Sequence, residues 1–214
     1  MKTCYIFAGA PMAQLPPITL AEDRLILCAD GGYTYAKRLG IAPDCLVGDF
    51  DTLQGPLPED VEIVRHPVQK DDTDSMLAVK LGLARGCRSF VLYGAIGGRL
   101  DHTLANVQAL LYLRQHGAEG KLIGASDTAL LHSPGTRTYA AEDGAYFSVL
   151  ALADPCIGVT LRGVEYLLTE ATLTPSFPLG VSNHIVAETA SVSLTSGLLL
   201  LVFSKDSHQI TPKA

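Results

Sequence analysis

The sequence predicts an α/β protein with two parts, and two observations support this. Apolar, strand-like segments alternate with helix-like segments over roughly the first 125 residues. After about Ser133 helical periodicity fades, and short β-rich segments separated by Gly, Pro, Thr and Ser follow. We therefore expect an α/β domain at residues 1–133 and a β-rich domain at residues 134–214.

Alternation of strands and helices in the first domain favours a parallel sheet covered by helices, a Rossmann-like arrangement. The predicted strands are Cys4–Ala8, Leu25–Ala29, Cys45–Val47, Val61–Val64, Phe90–Tyr93 and Leu122–Ile123. The predicted helices are Tyr33–Leu39, Thr73–Arg85 and Asp101–Gln115, and in the last of these Leu104, Val107 and Leu111 are expected to form the apolar face. Ligands of such sheets bind at the carboxyl ends of the strands.

The second domain predicts a small β-sandwich or barrel. Its predicted strands are Ala145–Leu152, Gly158–Leu161, Ser191–Leu194 and Leu198–Phe203. Thr195 to Gly197, between the last two, is typical of a hairpin turn.

Composition excludes several classes of protein. A formal net charge of −6 argues against a nucleic-acid partner, because such proteins carry a basic surface. The longest later apolar run, Leu198–Phe203, is far shorter than the ~20 residues of a membrane span, so no membrane association is expected. None of the cysteines forms a C-x-x-C pair, which predicts reduced core thiols in a cytoplasmic protein. They are Cys4, Cys28, Cys45, Cys87 and Cys156.

Two acidic motifs follow predicted strands. DGG begins at Asp30, and GDFDT places Asp49 and Asp51 two residues apart. In an extended segment that spacing puts both carboxylates on one side, where they could share or flank a cation. The alternative is a polar loop in which aspartates stabilise turns.

A third motif, KDDTD, opens the second helix. Asp71, Asp72, Thr73 and Asp74 are all residue types that cap helix N-termini, so capping explains one of them. It does not explain three carboxylates beside Lys70 in a single turn, because they repel each other without a cation. Both roles remain open for this motif.

A fourth motif, GGRLDHTLAN, begins at Gly97 and runs into the third helix. Glycines let a backbone approach a ligand closely, and helix N-termini favour phosphate. Arg99 could then neutralise a polyphosphate. The alternative is a plain turn with Asp101 as the N-cap. His102 fits a hydrogen-bonding role better than a catalytic one.

Other nucleotide and hydrolase signatures are missing from the sequence. It contains no Walker A motif, no G-x-S-x-G, no H-E-x-x-H, and no G-x-G-x-x-G after the first strand. A phosphate-handling enzyme of this kind must hold its nucleotide with metal, arginine and loop backbone. Oxygen-rich sites suit Mg²⁺.

The four motifs, in the order DGG, PDCLVGDFDT, KDDTD and GGRLDHTLAN, resemble those of the thiamine pyrophosphokinases. GVEYLL, which begins at Gly163, and VSN at Val181 to Asn183 resemble that family's thiamine-binding domain, so the likeness runs from about Cys4 to Phe203. It implies transfer of the pyrophosphoryl group of ATP to the thiamine hydroxyl, which yields thiamine diphosphate and AMP.

The resemblance also implies site residues. Mg²⁺ ligands would be Asp49, Asp51, Asp71 and Asp74, which with Arg99 would form the catalytic group. ATP as co-substrate would be held by Asp30, Lys70, Thr73, Arg99 and Asp101. Thiamine would contact Tyr166, Ser182 and Asn183, with Tyr166 standing where some relatives have Trp. The family further implies a homodimer with thiamine at the subunit interface.

Two alternatives are weaker. One is a diphosphokinase acting on another heteroaromatic alcohol, such as a hydroxymethylpterin, and the match of the second domain argues against it. The other is a non-catalytic thiamine or nucleotide sensor. Intact carboxylates in all four motifs argue against a sensor, which could lose some of them.

Overall fold

A computed structural model describes residues 1–12, 18–50, 57–65, 71–142 and 144–206. The chain forms two compact units, Met1–Ala125 and Ser126–Ala214. The boundary precedes the predicted one by eight residues. It does so because Asp127–His132, assigned from sequence to the first domain, is a strand that pairs with Leu199–Lys205 near the end of the chain.

The first unit confirms the predicted α/β class. Its strands are β1 (Thr3–Phe7), β2 (Arg24–Ala29), β3 (Cys45–Gly48), β4 (Glu62–Arg65), β5 (Ser89–Tyr93) and β6 (Glu119–Ile123). Its helices are α1 (Gly32–Arg38), α2 (Asp74–Ala84) and α3 (Leu100–Gln115). The strand order is β4-β3-β2-β1-β5-β6, and every neighbouring pair is parallel.

Apolar side chains on the central strands fix the register of this sheet. Phe7 lies opposite Cys28 on one side and Tyr93 on the other. The rings of Phe7 and Tyr93 stack at 5.4 Å, and both are buried with Leu46 in one core cluster. Parallel pairing in this register brings the carboxyl ends of β1, β2 and β5 to the same edge.

The buried face of α3 differs from the predicted one. Leu104, expected in the core, is 57% exposed, whereas Asn106, Ala109, Leu110 and Leu113 are buried. Apolar spacing alone could not distinguish these faces, because the helix has apolar side chains on both. The buried polar residue, Asn106, marks the side that meets the sheet.

The second unit is a β-sandwich. Its strands are β7 (Asp127–His132), β8 (Gly135–Ala140), β9 (Ala145–Ala151), β10 (Cys156–Arg162), β11 (Leu168–Leu173), β12 (Thr189–Leu194) and β13 (Leu199–Lys205). β13 pairs with β7 and β9, while the second sheet has the order β11-β10-β12-β8. All these pairings are antiparallel. Phe147 and Leu201 of the first group share one core with Leu161 and Val192 of the second.

One predicted turn is wrong. Thr195 to Gly197 does not close a hairpin, because β12 and β13 belong to different sheets of the sandwich. The chain crosses here from one sheet to the other. Gly197, with φ +103°, allows the crossing, since a Cβ there would lie 2.8 Å from the Cα of Cys156.

The cysteines are free and buried, as the sequence predicts. Within the described ranges, no helix has both the length and the apolar character needed to span a membrane.

Two glycines let the loops of the first unit pack against β1. A Cβ on Gly32 would lie 1.9 Å from the carbonyl oxygen of Phe7, and one on Gly94 would lie 2.5 Å from that of Ala8. Gly94 also has φ +64°. Any side chain at these positions would push α1, or the loop after β5, away from the end of β1.

Gly32→Ala tests this close approach. We expect the free energy of unfolding to fall by on the order of 3 kcal/mol, because backbone must move to admit the methyl group. Gly9→Ala is the matched control. A Cβ there has ordinary contacts, the nearest at 3.8 Å, so the loss should stay below about 1 kcal/mol. Equal losses in chemical denaturation of the two variants would contradict the packing argument.

Candidate active site

A cleft of about 510 Å³ opens at the carboxyl ends of β1, β2 and β5. Its walls belong to the loops that follow these strands and to the first turns of α2 and α3. They are formed by Ala8, Gly9, Ala10, Pro11, Ala29, Asp30, Gly31, Thr73, Asp74, Ser75, Gly94, Ala95, Gly97, Gly98, Arg99, His102 and Asn106. This is the edge at which sequence placed the ligand site.

Backbone hydrogen bonds continue the sheet into the loops around the cleft. The amide of Ala8 donates to the carbonyl of Tyr93 at 2.7 Å, and that of Ala10 donates to Gly94 at 3.0 Å. The loops after β1 and β5 are therefore joined. Their small side chains leave backbone as a large part of the wall, which suits a ligand held by N–H groups.

Carboxylates converge near the end of β3. A Cβ placed on Gly48 would lie 3.2 Å from Oδ1 of Asp74 and 3.4 Å from the Cβ of Asp30. Asp30 has φ +44°, an uncommon backbone conformation for a residue other than glycine. Glycine at position 48 thus lets the side chains of two separate motifs approach each other. Asp49 follows directly in the chain.

The turn before α2 contains both a helix cap and charged side chains. Capping and ligand binding were the two roles left open for the KDDTD motif. Oγ1 of Thr73 accepts from the amide of Met76 at 3.2 Å, so Thr73 is the N-cap while it also lines the cleft. Nζ of Lys80 donates to both carboxylate oxygens of Asp72, at 2.8 and 2.6 Å. This ion pair neutralises Asp72, whereas Asp71 is exposed to solvent.

Arg99 and Asp101 form an exposed pair at the start of α3. Nε of Arg99 donates to Oδ1 of Asp101 at 3.1 Å, and Nη2 donates to Oδ2 at 2.5 Å. The guanidinium, with a smaller contribution from the amide of His102, holds the pKa of Asp101 below its usual value. Asp101 is not the side-chain N-cap, because Arg99 occupies the cap position and makes no capping bond.

Two further residues of the GGRLDHTLAN motif line the cleft. His102 is one, and the sequence favours a hydrogen-bonding role for it, whereas Asn106 was not singled out from the sequence. Nδ2 of Asn106 donates to the carbonyl of Ala95 at 2.8 Å, and Asn106 is only 6% exposed. This buried bond ties α3 to the loop after β5. Both residues stand in the GGRLDHTLAN motif, so their place in that motif was the available signal.

Asp30, Thr73, Asp74 and Arg99 of the predicted nucleotide and metal site therefore meet in one cleft. Asp51 and Lys70 lie outside the described residues. Among the residues that are described, no three His, Cys, Asp or Glu side chains are grouped closely enough to hold a metal ion.

The predicted thiamine-contacting residues lie in the second unit. Tyr166 is 62% exposed, and its backbone is hydrogen-bonded to the side chain of Asn183. Ser182 has φ +61°, and its amide donates to Oγ of Ser148 at 3.1 Å. Asn183 is 4% exposed. The arrangement presents an aromatic face, while the amide of Asn183 is already engaged within the chain.

Chemically, the cleft of the first unit suits a metal-bound polyphosphate. Carboxylate oxygens are the ligands that Mg²⁺ prefers, and Asp30 and Asp74 already converge. The glycines of the loop before α3 let its backbone border the cleft closely, although the amide of Gly97 already donates to Oγ1 of Thr103 at 3.2 Å. Arg99 carries a planar cation of the kind that suits phosphate oxygens. The donor set fits Mg²⁺ with a nucleoside polyphosphate.

Two family models match the chain. Residues 18–122 match the thiamin pyrophosphokinase catalytic domain, and residues 137–199 match the thiamin pyrophosphokinase vitamin B1 binding domain. The chain is 27% identical to a thiamine pyrophosphokinase of Bacillus subtilis, over 96% of this chain and 100% of that protein.

Solved structures agree with these matches. The crystal structure of thiamine pyrophosphokinase from Bacillus subtilis superposes with a TM-score of 0.87 at 26% identity, covering 95% of this chain and 99% of that one. A thiamin pyrophosphokinase family protein from Enterococcus faecalis superposes with a TM-score of 0.83 at 28% identity, covering 97% and 100%. With both family models matched in order along the chain and the whole fold shared, this chain belongs to the thiamine pyrophosphokinase family.

Proposed function

We propose that this chain transfers the pyrophosphoryl group of ATP to the hydroxyl of thiamine, giving thiamine diphosphate and AMP. The observation that carries the proposal is the cleft at the strand ends, where carboxylates, Arg99 and a helix N-terminus meet. The match of residues 137–199 to a vitamin B1 binding domain favours thiamine over a pterin alcohol. Together they favour catalysis over a sensor role.

The metal site is proposed from the aspartates of three motifs. Mg²⁺ would be held by carboxylates among Asp49, Asp51, Asp71 and Asp74, with Asp30 beside them. When bound, it would offset the negative charge of the phosphate oxygens. Asp74 lies in the first turn of α2, directly after the N-cap Thr73, so its carboxylate is carried at the end of the helix that borders the cleft.

The chain's own residues would mainly position the reactants, since phosphoryl transfer leaves a protein little covalent work. The thiamine oxygen would attack the β-phosphorus in line, and its bond forms as the bond from that phosphorus to the α-phosphate oxygen breaks. A carboxylate of Asp71 or Asp74 would accept the alcohol proton. Arg99 and Lys70 would neutralise charge that develops on the phosphates. To do so, Arg99 must exchange Asp101 for a phosphate oxygen.

Tyr166 would offer its ring face to the thiazolium or pyrimidine of thiamine. Ser182 would add polar contacts, and Asp101 and Thr73 would help to hold the nucleotide. Tyrosine in place of the tryptophan of some relatives would give a somewhat weaker ring contact.

A homodimer with thiamine at its interface is proposed from the family resemblance, and exposed apolar side chains in both units support it. Soluble monomers rarely expose large apolar patches. The exposed side chains are Leu100, Leu104, Ile157, Tyr166, Leu167, Phe177, Leu179, Val181 and Val186. Closed two-fold symmetry is the commonest solution for such surfaces. Free, buried cysteines favour a reducing compartment, so we place the protein in the cytoplasm.

The products test the proposed reaction. With ATP, Mg²⁺ and thiamine, we expect AMP and thiamine diphosphate in equal amounts with little ADP, because the two terminal phosphates move as a unit. Chromatography of the nucleotides and of the thiamine esters measures both. ADP accumulating with thiamine monophosphate would contradict the proposal, and so would turnover of a hydroxymethylpterin in preference to thiamine.

Two neighbouring aspartates provide a matched test of the metal site. Asp71→Asn should lower kcat on the order of 100-fold, because it removes a proposed ligand of the Mg²⁺ ion that would offset the negative charge of the phosphates. Asp72→Asn should change kcat by less than about five-fold, because Lys80 already pairs with that carboxylate at the surface. Melting temperatures show whether both variants fold. Equal losses of kcat in folded variants would place the metal elsewhere.

A further inference from the structure

The segment that carries Tyr166 is held by a short antiparallel ladder. It follows β10, and Val164 forms a bridge with Ile185. The amide of Glu165 donates to the carbonyl of His184 at 2.9 Å. If this register continued by two residues, the backbone of Tyr166 would face the backbone of Asn183.

The backbone of Asn183 is already engaged on another strand. Its carbonyl accepts from the amide of Phe147 at 2.7 Å, and its amide donates to the carbonyl of Phe147 at 3.2 Å. The ladder to Tyr166 therefore cannot continue through the main chain. Ser182, in the left-handed conformation at φ +61°, immediately precedes this bridge.

The side chain of Asn183 completes the ladder instead. Oδ1 accepts from the amide of Tyr166 at 3.0 Å, and Nδ2 donates to the carbonyl of the same residue at 2.8 Å. Oδ1 also accepts from the amide of His184 at 2.9 Å. Two N–H groups converge on one atom of the amide and a carbonyl meets the other, so the orientation of the amide is fixed by its partners.

This contact requires a primary amide. A carboxylate of the same shape would lose the donor and bring negative charge against the carbonyl of Tyr166. A methyl group would leave the amide and carbonyl of Tyr166 without these partners. Because Asn183 is 4% exposed, water has little access to replace them.

The aromatic ring depends on this backbone contact. Among the described residues, the ring of Tyr166 makes no hydrogen bond and no ring contact, and the residue is 62% exposed. Its direction therefore follows from how its main chain is held. Three of the four hydrogen-bonding positions of the Asn183 amide are occupied within the chain, which leaves one hydrogen for a ligand.

We propose that Asn183 is a positioning residue, whose buried amide substitutes for a peptide unit opposite Tyr166 and fixes the direction in which the Tyr166 ring meets thiamine. This rests on the proposed function for the identity of the ligand. It revises the role expected from sequence, in which Asn183 would contact thiamine itself.

A fluorescent reporter tests, without any ligand, whether the side chain of Asn183 orders residue 166. The chain contains no tryptophan, so Tyr166→Trp introduces a single one at the ring position. We expect Asn183→Ala in that background to lower the steady-state anisotropy of the tryptophan and to raise its quenching by acrylamide. Glu165→Ala, which truncates the neighbouring exposed side chain, is the control and should change neither.

Asn183→Asp keeps the shape of the side chain and serves if Asn183→Ala does not fold, as judged by circular dichroism and melting temperature. It should shift anisotropy and quenching in the same direction. Unchanged anisotropy and quenching in a folded Asn183 variant would overturn the proposal.

A double-mutant cycle then tests the link to thiamine. Asn183→Ala alone should raise KM for thiamine about ten-fold, the scale of one aromatic–cation contact, with KM for ATP nearly unchanged. In a Tyr166→Ala background, Asn183→Ala should raise KM for thiamine by less than about two-fold further, because the ring that Asn183 positions is absent. Losses that multiply in full would show that Asn183 acts on thiamine directly, and would overturn the proposal.

The fluorescence measurement and the kinetic cycle distinguish failure of the proposed function from failure of the positioning role. If the wild-type chain does not turn over thiamine, the proposed function fails, while the anisotropy still decides whether Asn183 orders position 166. If thiamine is turned over but the cycle is additive, only the positioning role fails.

Discussion

The parallel register of β1, β2 and β5 is the constraint on which the first unit depends. It brings three strand ends to one edge, and the hydrogen bond from Ala8 to Tyr93 extends the pairing into the loops. Close packing then requires residues without a Cβ at Gly32 and Gly94. The cleft is the space that remains between these loops, and the small residues that follow β1 and β5 leave part of its wall to backbone.

Electrostatics adds a second requirement at the same edge. Asp30 and Asp74 come from motifs 44 positions apart and approach each other around Gly48. Like charges at such distances repel, and a bound divalent cation would relieve the repulsion. The chain neutralises one further carboxylate internally, through the pair of Asp72 with Lys80. Asp71, one position earlier in the same turn, is instead exposed to solvent.

Local patterns predicted the first unit well. Buried strands and capped helices can be recognised from the pattern of a few neighbouring residues. Thr73, for example, caps α2 and lies in the KDDTD motif that the sequence analysis identified. The second unit was predicted less completely. β7, β8 and β11 were missed, and β8 is mostly exposed, so it lacks the apolar run by which a strand is recognised.

The remaining errors share a physical cause, which is that they depend on contacts between distant parts of the chain. Whether Thr195 to Gly197 closes a hairpin or crosses between sheets is decided by the strands on either side. The face of α3 that is buried depends on the loop that Asn106 meets. The positioning role proposed for Asn183 is not such an error, but it likewise rests on distant contacts, with Tyr166 and Phe147, 17 and 36 positions earlier in the chain. A sequence motif can mark such residues without revealing what they contact.

On the proposed function, the two units carry separate tasks, phosphate chemistry in the first and recognition of thiamine in the second, and the proposed two-fold dimer would combine them. Mixing two chains of low activity, Asp71→Asn and Tyr166→Ala, and assaying them at thiamine concentrations well below the wild-type KM, tests this arrangement most directly. When the two variant chains are refolded together in equal amounts, half of the dimers are mixed. Each mixed dimer has one site built from unmutated units. We therefore predict recovery of about a quarter of wild-type activity. Mixtures that stay inactive, although mixed dimers are shown to form, would contradict the account.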